Sequence, residues 1–220
     1  MSVDEGVDEG VDEVRELCLP LSEQDARSLR VGDQVSLTGR VTMSIGLPTH
    51  KRMAELLGRG EALPLDLAGG AFVHLSSYNR ESKEAPAGFE ALYLNPSTST
   101  RYDEYMPSII AKSGVRVVGG KGGLSAACVA AMREAGCVYL SFLGGGCTLL
   151  SHAIRGVASV HWNEYISQFR LVTLNVERLC PATVAIDANG NSVYDSLRTQ
   201  AQARLPDILD KLDKARAASE

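Results

Sequence analysis

Apolar and polar positions change period several times along the chain, and each change predicts an element. Val35-Ser-Leu-Thr-Gly-Arg-Val-Thr-Met43 alternates with the period of two expected of a half-buried strand. After Gly46-Leu47-Pro48, the apolar Met53, Leu56 and Leu57 fall at helical spacing. They predict a helix capped by Thr49, with His50 near its start and an end at Gly58 or Gly60. Ser22 is expected to cap a short helical turn. Ala71–Leu75 reads as a strand, Ser76–Gly88 as a polar loop and Phe89–Leu94 as a strand again.

Between Tyr93 and Gly146 an apolar run gives way three times to a small-residue loop and then a helical pattern. Tyr93-Leu94 breaks into Asn95-Pro-Ser-Thr-Ser-Thr-Arg-Tyr-Asp103, and Val115-Arg-Val-Val118 ends in Gly119-Gly-Lys-Gly-Gly123. Cys137–Leu143 ends in Gly144-Gly-Gly146. Open α/β sheets place ligands at the carboxyl ends of their strands, so this stretch is the expected site of an α/β domain. Further on, Cys147–Ile154 predicts a helix, Leu171–Val176 and Ala182–Ile186 two strands, and Asp187–Asn191 a tight turn. Leu205, Ile208, Leu209 and Leu212 predict a last helix, interrupted at Pro206.

Composition places the 220 residues among ordinary soluble domains, with 45% hydrophobic and 22% charged positions. No apolar run reaches a membrane span and no signal-peptide pattern opens the chain, so a cytoplasmic location is expected. The net charge of −5 misleads until it is divided. Residues 1–16, built on a Val-Asp-Glu-Gly repeat, carry seven carboxylates against Arg15 alone, which is −6 and leaves +1 for the rest. The acidic stretch is expected to be a disordered tail, and 17–220 one domain. A nearly neutral domain argues against a nucleic-acid surface. Cys18, Cys128, Cys137, Cys147 and Cys180 form no CxxC pair, and no histidine stands at metal-ligand spacing. A zinc site or cluster held wholly by this chain is therefore not expected.

Two loops carry candidate chemistry. In the first, Pro96 fixes the backbone, Ser97 to Thr100 supply hydroxyls, and Arg101 offers a planar fork of donors to a carboxylate. By itself this also reads as a Ser/Thr-rich helix cap beside a surface arginine. In the second, glycines on both sides of Lys121 let an anion approach the backbone, with a helix N-terminus near Leu124 aimed at the same place. It is not a P-loop, because Gly122 stands where the hydroxyl must be. A flexible turn with a solvated lysine is the competing reading. His50 taken alone reads as a hydrogen-bonded structural histidine. The two cationic loops together suggest a site for a dicarboxylate or similar anion, at the ends of neighbouring strands in one sheet.

In order along the chain, Asn95–Asp103, Gly120-Lys-Gly122, Gly144–Gly146, His161-Trp-Asn-Glu164 and Val184–Gly190 resemble the β subunit of iron–sulfur hydro-lyases, the class I fumarase and L-tartrate dehydratase family. The likeness spans roughly Gly32 to Tyr194, and Arg30-Val-Gly-Asp33 and Ala62–Gly69 fit it as well. The resemblance implies a swivelling β/β/α-type domain whose glycine-rich loops bind an anion. It implies a partner α subunit holding a [4Fe–4S] cluster through three cysteines, the open iron acting as a Lewis acid on the substrate. Ser97 then takes the place of the threonine hydroxyl implicated in proton transfer and Thr98 that of its neighbour. The substrate-binding positions fall on Arg101, Lys121 and His50.

The chain also departs from the family. An arginine–aspartate pair normally stands three to four residues before the histidine, where this chain has Ser44-Ile-Gly-Leu-Pro-Thr-His50. Asn95 replaces the glycine opening the hydroxyl loop, and Ser76-Ser77 a glycine–proline. The resemblance therefore implies a hydro-lyase subunit, inactive alone, whose hydroxy acid has a neutral or apolar end. The alternative is a carboxylate-binding module that has lost hydration chemistry.

Overall fold

The computed structural model describes residues 14–217, and at its centre is a sheet that closes on itself. In chain order the elements are β1 (Arg15–Cys18), α1 (Glu23–Ser28), β2 (Gln34–Met43), α2 (Leu47–Gly58), β3 (Ala71–Val73), β4 (Leu75–Glu81) and β5 (Phe89–Pro96). A 3₁₀ turn, Ser99–Tyr102, leads to α3 (Met106–Ser113), β6 (Val117–Gly120), α4 (Ala126–Ala135), β7 (Val138–Phe142) and α5 (Cys147–Ser151). β8 (Ile154–His161), β9 (Leu171–Ile186) and α6 (Val193–Ala217) complete the chain. The acidic repeat lies outside the described residues, and the strand at Arg15 opens inside the stretch read as tail.

β2, β3, β6 and β7 run parallel in that spatial order. β9 then pairs antiparallel with β7 on one edge and with β2 on the other, which closes the ring into a barrel. β1 adds to the first half of β2, and β8 to the first half of β9. Two-residue alternation divides the side chains of the parallel strands. Val73, Val117, Val138 and Leu140 join Val41, Val172 and Leu174 in one core. Their neighbours Phe72, Val118 and Tyr139 face the other way, into a second core under α2, α3 and α4 with Met53, Ile109, Ile110 and Met132.

Several sequence expectations need correction. The polar stretch after Leu75 is β4, paired in a two-stranded antiparallel sheet with β5. The helix at Cys147 stops at Ser151, and Ile154–His161 is a strand. Residues 171–186 are one strand, because β2 pairs along them from Val172 to Thr183 with irregularities of register. Thr49 is buried within α2, and its N-cap is Gly46. Pro206 lies inside a continuous α6, of which no residue is buried. Ser22 caps α1 as expected: its hydroxyl accepts from the Asp25 N–H at 3.1 Å, and the Asp25 carboxylate accepts from the Ser22 N–H at 3.3 Å. Among the described residues no helix is long and apolar enough to cross a membrane.

Candidate active site at two joined loops

The hydroxyl loop leaves β5, in the two-stranded sheet, whereas the lysine loop leaves β6, in the barrel. They do not end neighbouring strands of one sheet, as the sequence suggested, but they are joined. The Lys121 N–H donates to the Ser97 carbonyl at 3.0 Å, and the Ser99 N–H donates to the Lys121 carbonyl at 2.9 Å. The result is a parallel bridge between Thr98 and Lys121, in effect one residue of strand added to the end of β6. Glycine is required beside it. A Cβ on Gly120 would overlap the Ser99 hydroxyl and stand 3.0 Å from the Ser97 carbonyl oxygen.

The bridge ties Thr98 to Lys121, but Ser97, Thr98 and Arg101 do not line the depression that Lys121 borders. Ser97 is buried and Thr98 half-buried, and Arg101 is exposed on the 3₁₀ turn that follows. Lys121 borders a depression of about 440 Å³ together with Ser141, Leu143, Gly144 and Tyr194. A Cβ on Gly144 would lie 3.8 Å from Lys121 Cδ, so the third glycine loop passes along the lysine stem. The larger cavity, about 950 Å³, lies between β2, β8, β9 and residues 64–68, and none of the site residues read from the sequence lines it. The helix after Lys121 begins at Ala126, and the N–H of its cap residue Ser125 already donates to the Asp103 carboxylate at 3.0 Å. A carboxylate of the chain itself thus occupies the helix start expected to face an anion.

Beneath the loop lies a buried cluster of rings and hydroxyls. His50, which taken alone read as a hydrogen-bonded structural histidine, lies in this floor with no solvent exposure. Its Nδ1–H donates to the Gly46 carbonyl at 2.7 Å, and its ring stacks on Tyr102 with centroids 4.1 Å apart. The Tyr102 hydroxyl donates to the Ile45 carbonyl at 2.8 Å and lies 3.5 Å from Ser97 Oγ. Burial raises the Tyr102 pKa, and it pushes His50 down to about 4 against the bond to Gly46. His74, also fully buried, has its ring 5.1 Å from that of His50, and its Nδ1 stands 2.8 Å from Ser99 Oγ. Burial, and then the neighbouring His50, hold it well below the ordinary histidine range. Ser99 Oγ meets the Tyr139 hydroxyl at 2.9 Å.

Sequence reasoning missed His74 and Tyr139, and read Ser99 only as one of a run of hydroxyls. The one signal was a histidine between Val73 and Leu75, a polar residue where the strand pattern asks for an apolar one.

Cys128 and Cys137 are buried thiols that burial pushes up to about 11 and about 12. Among the described residues no three of His, Cys, Asp and Glu gather to hold a metal ion.

The fold is a mixed α/β domain with a barrel-like sheet, and two loops joined through their backbones follow β5 and β6. The chain matches the family described as Fumarase C-terminus over residues 4–197, and it belongs to that family. It is 28% identical over 196 residues to the L(+)-tartrate dehydratase subunit beta of Escherichia coli, covering 86% of this chain and 92% of that one. Identity is 26% over 190 residues to a Methanocaldococcus jannaschii protein provisionally named as the same subunit, covering 86% and 95%. A Geobacillus stearothermophilus protein provisionally named fumarate hydratase class I is 28% identical over 186 residues. That match takes 84% of this chain but 34% of the longer relative.

Proposed function

We propose that this chain is the β subunit of a hydro-lyase that adds or removes water on a hydroxy acid, acting with an α subunit that carries a [4Fe–4S] cluster. Two of the relatives above are named as β subunits, which supports the need for a partner. The observation that carries the reading is the bridge between Thr98 and Lys121, which ties the hydroxyl loop to the cation loop through backbone bonds. Lys121 and Arg101 hold the substrate carboxylate. Ser97 moves the proton at the carbon next to the leaving hydroxyl, with Thr98 as a second polar group beside it. Bound on the partner, the cluster supplies Lewis-acid chemistry to that hydroxyl. No step on this chain depends on its own cysteines.

The far end of the substrate is neutral or apolar. Where the family carries its arginine–aspartate pair, three to four residues before the histidine, this chain has a buried Gly46 and Leu47, 49% exposed. The same segment reaches the hydroxyl loop, because the Ile45 carbonyl accepts from Tyr102, which neighbours Ser97. A second carboxylate there would have no cationic partner, a loss on the order of a few kcal/mol. That replacement also favours the second reading, a carboxylate-binding module without hydration chemistry.

Anaerobic reconstitution with the α partner, assayed on a panel of hydroxy acids, separates the two. Water loss that requires both chains, and that Lys121→Ala abolishes in a folded protein, is the expected result. Carboxylate binding without turnover on any acid would favour the module.

A further inference from the structure

Both loops of the candidate site hang from His74, a residue between β3 and β4. Its N–H donates to the Gly119 carbonyl at 2.7 Å, and its own carbonyl accepts from the Ser97 N–H at 2.8 Å. Its ring reaches the far side of the hydroxyl loop at Ser99, and Ser99 reaches Tyr139. The Tyr139 oxygen in turn accepts from the Gly123 N–H at 3.3 Å. One residue therefore grips the chain before Lys121, holds the hydroxyl loop on both sides of Thr98, and through two hydroxyls reaches Gly123 after Lys121. Its Nε2 is buried with no hydrogen-bond partner among the described residues. Such an atom is costly, and an apolar ring of the same size would avoid the cost, so packing alone does not account for a histidine here.

We propose that His74 is a positioning residue: acting through Ser99, it sets where Ser97 and Arg101 stand relative to Lys121. The inference rests on the proposed function for what those three residues do, while the coupling of the loops is a property of this chain alone. Ser99 can do this because its hydroxyl serves His74 and Tyr139 while its N–H closes the bridge to Lys121. Removing the ring nitrogen leaves the hydroxyl with Tyr139 alone, and the loop loses its side-chain tie to His74.

The test uses the full chain, alone and with its α partner. In the chain alone, amide hydrogen exchange at Ser99 and Lys121 should accelerate at least tenfold in His74→Phe and in Ser99→Ala. Leu174 in β9 should keep its protection. His74→Asn, whose amide still reaches the Ser99 hydroxyl, should restore most of the protection. In the complex, His74→Phe should lower kcat more than it raises KM, and should have no further effect once Ser99→Ala is present. Unchanged exchange in Ser99→Ala, or additive losses from the two substitutions, would overturn the proposal. Should His74→Phe not fold, Ser99→Ala and His74→Asn decide it. Accelerated exchange in a complex with no turnover on any hydroxy acid would uphold the coupling and sink only the hydro-lyase reading.

Discussion

Tyr102 lies flat against His50, with the two ring planes 8° from parallel, and its hydroxyl reaches toward Ser97. The tyrosine links the start of α2, through the Ile45 carbonyl, to the loop expected to move the proton. Tyr102→Phe keeps the stack and removes the link. It should cost about 1 kcal/mol in a urea melt, the worth of one hydrogen bond. If Ser97 transfers the proton, turnover should fall by roughly 10-fold or more as the serine hydroxyl loses a neighbour that orients it. Wild-type turnover in the variant would remove Tyr102 from the site.

Stability should depend on acid through the buried histidines. Burial holds His50 at about 4 against an ordinary value of 6.5, so it stays neutral in the fold while the unfolded chain takes up its proton. The unfolded state binds more protons below pH 6.5, and stability is lost as pH falls from there toward 4. His50 alone contributes a loss of about 3 kcal/mol over that range, and His74 adds to it in the same direction. Urea midpoints at pH 7.5 and 4.5 should show the drop, and His50→Phe should shrink it. An undiminished drop in a folded His50→Phe protein would assign the acid sensitivity elsewhere.

Two glycines should respond oppositely to alanine. At Gly120 the new methyl meets the Ser99 hydroxyl and the Ser97 carbonyl, and Gly120→Ala should destabilise by roughly 1–3 kcal/mol while opening the bridge. At Gly58, the last residue of α2, nothing lies within 4 Å of an added Cβ. Gly58→Ala should therefore stabilise by about 0.5–1 kcal/mol. Differential scanning calorimetry of both reads the contrast directly.

Leu47→Arg tests the apolar end of the substrate site. The side chain is half exposed at the start of α2, so the replacement need not enter the core. With a cation available there, KM for a dicarboxylate hydroxy acid should fall by roughly tenfold relative to a monocarboxylate. Equal effects on both acids would mean that this segment does not face the substrate.

Much of this arrangement was legible in the sequence, for identifiable reasons. Alternation located β2 from Val35 onward, a continuous apolar run contained β7, and strand-then-glycine marked the end of β6. The hydroxyl loop could be found because four hydroxyl residues, Ser97 to Thr100, run together before Arg101. What could not be read was pairing. Nothing in Leu75–Glu81 announces a strand, since β4 is made by its antiparallel bonds to β5, and its Ser76, Ser77 and Asn79 look like loop residues. The role of His74 was hidden for the same reason. Its partners Ser97, Ser99 and Gly119 are distant in the chain, and only the folded backbone brings them to it.

The closure made by β9 bears on how this protein comes into being. Of the strands in the ring it is the last to be synthesised, yet it supplies two of the ring's five seams. Until residue 186 has emerged, β2 and β7 keep bare edges, and the nascent chain remains an unsealed, sticky ribbon. Such distant pairing makes closure slow. A ribosome pausing before Leu171 would therefore leave the chain open to capture by chaperones.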